Sequence, residues 1–173
     1  MTMKLIESKT LGTAQASIEF TSIPQTFTDL RFVLSLRSSR AATVDNAYLE
    51  FNNSSTSYSY RRLYGTGSGA FSSTETKIYF DSPAGSSTSN TFGNTSIYIP
   101  NYAGSTNKSV SIDDVTENNA TLSYQFISAG LWSNTSAITS VKFLSDTGSN
   151  FTADSVVSLY GILKGSDGTT VVS

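Results

Sequence analysis

Neither cysteine nor histidine occurs anywhere in this 173-residue chain. The first absence excludes disulfides, thiolate nucleophiles and sulfur-ligated metals, and it removes cysteine as a guide to redox compartment. The second removes the commonest general base, the Ser/His/Asp arrangement and the usual zinc ligands. Charge is scarce too: Asp, Glu, Lys and Arg make up 14% of the residues, against roughly 25% in an average soluble domain. Surface solubility must therefore come from hydroxyls and amides. A net charge of −2 and a pI near 5.0 lack the clustered Lys and Arg that displace counterions from a phosphate backbone, which sets nucleic acid aside as a partner. No apolar run approaches the roughly 20 residues of a membrane-spanning helix, and the opening MTMKLIESKTLGTAQASIEF has no continuous apolar stretch of the kind a secretory signal needs. The expectation is a soluble product of the cytoplasm, without membrane insertion.

What the chain does hold is strand and turn material. Serine and threonine account for 55 of the 173 residues, and much of the apolar remainder is β-branched or aromatic. Alternation is clearest at Leu30, Phe32, Leu34 and Leu36, whose neighbours Arg31, Val33, Ser35 and Arg37 point the other way across a pleated strand. The same period fits Ala47, Leu49 and Phe51; Ile78 and Phe80; Ile97 and Ile99; Val110 and Ile112; Leu122, Tyr124 and Phe126; and Val157, Leu159 and Gly161. Less regular runs at residues 4–11, 15–20 and 138–144 bring the total to about ten strands. Clusters of Gly, Ser, Asn and Asp at Gly65–Gly69, Asp81–Asn90, Asn101–Asn107 and Asp146–Asn150 mark the turns. No window holds a helical stripe. The pattern predicts an all-β, two-sheet antiparallel sandwich, jelly-roll-like, formed as one domain over residues 1–173. Its core is expected to include Phe32, Leu34, Leu36, Leu49, Phe51, Ile97, Ile99, Phe126 and Leu159.

Chemistry-bearing motifs are few. The densest acidic group is Asp113, Asp114 and Glu117 in SIDDVTEN. It reads as a solvated strand-to-turn junction in preference to a paired-carboxylate hydrolase or a calcium loop, which wants six or more oxygens. No catalytic residue, cofactor or metal is expected. Seven Asn-x-Ser/Thr sequons, beginning at Asn52, Asn53, Asn94, Asn107, Asn119, Asn134 and Asn150, follow from the abundance of Ser and Thr. The segment SYSYRRLYG is more informative, because alternation puts Tyr58, Tyr60, Arg62 and Tyr64 on one face and Ser57, Ser59, Arg61 and Leu63 on the other. Tyrosine and arginine are enriched where proteins meet partners. The face is read foremost as a subunit or capsid interface, beside two other readings: an amphipathic core edge with its polar tips in water, or a glycan platform. All five arginines fall between positions 31 and 62, whereas the six lysines are scattered. Trp132, the sole tryptophan, suits a core or loop anchor.

Taken whole, the sequence resembles a family of small virion proteins of tailed phages, especially phages of marine bacteria. The resemblance is carried by IEFTSIPQTFTDLRFVLSLRSSRA (18–41), YSYRRLYGTGS (58–68), TSIYIPNYAGSTNKSVSIDDVTENNA (95–120), SAGLWSNTSAITSVKF (128–143) and VSLYGI (157–162). It implies a non-enzymatic particle component with a β-sandwich fold, exposed on the virion surface, most simply a capsid decoration or accessory protein. The alternative is a tail-associated module that binds a receptor or a host surface glycan. The expected partners are other virion proteins of capsid or tail and further copies of the chain. A trimer is the expected state, by analogy with viral β-sandwich proteins around three-fold axes.

Overall fold

The computed structural model describes residues 2–117 and 123–163, and all regular structure among them is β-strand. Eight strands form the larger sheet, in the spatial order β1 (Thr2–Thr10), β12 (Val156–Leu163), β3 (Asp29–Ser35), β8 (Asn94–Pro100), β9 (Lys108–Glu117), β10 (Ser123–Trp132), β5 (Tyr58–Gly65) and β6 (Ala70–Glu75). Four form the smaller sheet, in the order β2 (Ser17–Phe20), β11 (Val141–Ser145), β4 (Val44–Phe51) and β7 (Ile78–Pro83). Every neighbouring pair is antiparallel. The protein is thus a two-sheet antiparallel sandwich, jelly-roll-like, with one sheet twice as wide as the other.

Alternation fixes which residues meet between the sheets. Leu30, Phe32 and Leu34 of β3 and Ala47, Leu49 and Phe51 of β4 are all buried, while Arg31, Val33 and Ser35 face out. The rings of Phe20, Phe32, Phe80 and Phe143 interlock edge to face at centroid separations of 5.3–6.4 Å. Each such contact adds about 0.5–1.5 kcal/mol beyond the area it buries. All nine residues expected in the core are buried. Phe126, however, lies outside the main cluster, stacked on Tyr64.

Two departures from the sequence reading have physical causes. Ala70–Glu75 has no apolar alternation and was not expected to be a strand; it becomes β6 by closing a hairpin onto β5. The turn is held by the Thr66 N–H on the Gly69 carbonyl at 3.1 Å, with Gly67 at φ 80°. Asp81, Ser82 and Pro83 were expected to open a turn, yet they extend β7, because Asn46, Asp45 and Val44 of β4 pair with them. The predicted strand start at Leu122 and the sequon at Asn119 lie outside the described residues.

Four strands cannot cover eight. At the β6 end the inner face of the larger sheet overhangs its partner, and Phe71 is 47% exposed there. At the opposite edge, β1 carries a bulge between Leu5 and Glu7 together with Lys4 and Lys9. Bulges and edge lysines discourage strand-to-strand aggregation.

Candidate functional site

The Tyr/Arg face of β5 is its inner face. Tyr58 is 9% and Tyr60 1% exposed, so neither is presented to a partner, and the interface expectation is corrected for both. Alternation groups residues by face but does not say which face turns inward. Tyrosine can be buried when its hydroxyl is satisfied, and both are. The Tyr58 hydroxyl accepts from Phe51 N–H at 2.7 Å and donates to the Ser54 carbonyl, while the ring stacks on Trp132. The Tyr60 hydroxyl bonds Ser128 Oγ at 2.7 Å. Burial pushes both phenols up to about 12. Trp132, 1% exposed, is the core anchor its composition suggested.

Arg62 and Tyr64 sit further along β5, where the overhang begins. Tyr64 is stacked between Phe71 and Phe126, each at 5.3 Å. The Arg62 guanidinium lies over the Tyr64 and Phe126 rings at 4.9 and 5.2 Å and reaches Asp81 Oδ2 at 3.2 Å. This pair joins β5 of the large sheet to β7 of the small one. The five arginines, confined in sequence to positions 31–62, are dispersed in space. Arg37 is buried and donates to the carbonyls of Ser87, Thr88 and Thr91, Arg40 lies 3.6 Å from Asp45, Arg31 bonds Ser96, and Arg61 bonds Thr74.

Beside Arg62 lies a site the sequence reading missed. Asp114, expected to be solvated, is fully buried. Its Oδ1 accepts from Thr95 Oγ1 and its Oδ2 from the Asp81 N–H, both at 2.6 Å. The edge of β7 is therefore tied to β9 through a carboxylate. Burial raises Asp114 to about 7, helped by the neighbouring Asp81 carboxylate and opposed by Thr95, the Asp81 N–H and Arg62. Burial likewise raises Asp81 to about 6, with Arg62 pulling it down and Asp45 pushing it up. The signal was present: Asp114 is in phase with Val110 and Ile112, the inward residues of β9. Asp113 does face out, as alternation required, between Ser96 and Ile127 of the adjoining strands.

Compared with known proteins, the chain matches no family model, no curated protein and no solved structure. What the site can do must come from its own chemistry. Among the described residues no group of three or more acidic side chains is placed to hold a metal ion. The Asp81–Asp114 pair is closed off between the sheets, and its partners are backbone, hydroxyl and Arg62. A third buried carboxylate, Asp45, is consumed by Ser38, Ser145 and Thr147. Lys108, also buried, grips the carbonyls of Gly104 and Thr106, and desolvation lowers its pKa. These groups pin loops and strands in place.

Away from them, two surfaces are shaped for contact. A crevice of about 330 Å³ lies between two loops and is lined by Ser89, Asn90, Phe92, Thr152 and Asp154. The outer face of β9, β10, β5 and β6 carries a second crevice of about 520 Å³ beside exposed Leu63 and Ile127.

Proposed function

We propose that the chain is a non-enzymatic structural protein at the surface of a tailed-phage particle, a capsid decoration or accessory protein. The observation that carries this reading is where the carboxylates lie. Asp45, Asp81 and Asp114 are built into the packed interior as ties between strands, and Asp113 stands on the outer face with Ser96 and Ile127 as its cross-strand neighbours. Acid/base hydrolysis needs two carboxyl groups flanking a bond in an accessible cleft. The use of three carboxylates as interior ties, beneath a hydroxyl-rich, charge-poor exterior, supports a scaffold in preference to a hydrolase. The sequence resemblance to phage virion proteins supports the same reading.

One feature favours the second reading, a tail module for a host glycan. The crevice at Phe92 places an aromatic ring beside Asn90, Ser89 and Asp154, the mixture of apolar face and hydrogen-bonding groups that a sugar ring requires. Asn90 and Asp154, from different loops, both adopt left-handed backbone at φ 62° and 65°, a conformation enriched at binding sites.

Purified particles of the phage that encodes the chain provide the test. Mass spectrometry and antibody labelling should find the chain on intact particles, on the head for a decoration protein. Labelling of the tail, with glycan-array binding lost in Asp154→Ala, would favour the second reading. Particles lacking the chain would refute both.

A further inference from the structure

Leu63 on β5 and Ile127 on β10 stand directly opposite one another in register on the outer face of the larger sheet, 65% and 62% exposed. A face turned permanently to water has little use for such a pair, and nearby positions Ser72, Thr74, Ser111 and Gln125 are polar. Together Leu63 and Ile127 form a ridge. On one side lies the 520 Å³ crevice floored by small residues such as Ala129 and Ser111; on the other is a crevice of about 330 Å³ bordered by Gly65, Ala70 and Gln125.

We infer that this face is where two copies of the chain pair about a two-fold axis. A two-fold contact demands a patch complementary to itself, and this one is so in shape and in charge. A ridge flanked by two troughs fits a second such surface when the ridges cross and each drops its two ends into the troughs on either side of the other. Asp113 lies next to Ile127 in the same cross-strand row, on the side away from Leu63, while Arg61 lies two residues along β5 from Leu63. Neither has an ion-pair partner among the described residues; Arg61 only donates to Thr74 Oγ1 at 3.1 Å. Strands are about 4.8 Å apart, and same-face residues on one strand about 6.8 Å apart. With those spacings, an axis in the contact plane that sets Arg61 of one copy on Asp113 of the other drops each Ile127 between the Leu63 and Arg61 rows of its partner, over the larger crevice. The apolar ridge is covered and both charges are paired by one operation.

The inference deepens the structural role proposed above but is separable from it. The test is sedimentation velocity on the full chain from about 1 to 500 μM, a span suited to a modest interface. The wild type should show a reversible monomer–dimer equilibrium. Arg61→Asp, Asp113→Arg and Ile127→Thr, all at exposed positions, should each weaken it about tenfold or more, with the melting temperature unchanged at dilutions where the wild type is monomeric. Arg61→Asp combined with Asp113→Arg should restore affinity to within about threefold of wild type. A chain that is monomeric throughout, a trimer, or a double variant no better than the single ones would overturn the pairing. A monomer that still bound particles would overturn only the pairing and leave the structural role standing.

Discussion

Replacing Asp114 by Asn should stabilise the protein above neutral pH and leave it nearly unchanged near pH 4. Asp114 is fully buried, and burial lifts it from an ordinary value of 3.8 to about 7. Because the folded value exceeds the unfolded one, the folded chain holds a proton that the unfolded chain has released. The resulting stability is fully present below about pH 4 and is lost as pH rises through 7. At about 1.4 kcal/mol per pH unit between the two values, Asp114 accounts for on the order of 4 kcal/mol across that window. Asp81, raised to about 6, adds a loss of the same sign. An Asn side chain can preserve the local bonding: its carbonyl accepts the Asp81 N–H, and its amide donates to the Thr95 hydroxyl, which rotates to receive it. At pH 8 the variant avoids the charged buried group, a gain of about 1–4 kcal/mol. For a domain of this size that corresponds to roughly 2–4 °C per kcal/mol. No histidine titrates between pH 5 and 8, and Asp81 is present in both proteins, so the difference between them reports on Asp114. Calorimetric melts of wild type and Asp114→Asn from pH 4 to 8.5 should converge at the acid end and separate steadily above pH 6. A difference in melting temperature independent of pH, or a variant equally destabilised at both ends, would refute the reasoning.

Tyr60→Phe removes one partner of a buried hydroxyl pair and leaves Ser128 Oγ unsatisfied; urea unfolding should show a loss of about 1–3 kcal/mol. A Tyr60→Ala substitution, by contrast, would report on folding and not on association, since the ring is in the core. Gly161→Ala should cost about 1–3 kcal/mol of stability by the same assay, because an added Cβ would overlap the Phe27 ring; a melt unchanged from wild type would show that Phe27 can swing away.

The class of structure was already written in the amino-acid pattern. Period-two alternation, turn clusters and the dearth of helix formers left an antiparallel sandwich as the way to bury Phe32, Leu49 and Ile97 together, and those residues are where alternation put them. It also determined the pairing of faces within each strand, down to the opposite orientations of Asp113 and Asp114. Which face of a strand turns inward was decided only in three dimensions. On β5 both faces mix apolar and polar groups, and the choice depended on partners on other strands: Ser128 for Tyr60, Trp132 and the Phe51 N–H for Tyr58, Asp81 for Arg62. β6 has no apolar period of its own and exists because β5 offers it a ladder. The inward phase of Asp114 was legible from Val110 and Ile112, but its pairing with Asp81 was not, since the cost of burying a carboxylate is met by Thr95, Arg62 and a strand edge that only the packing of one sheet on the other brings within reach.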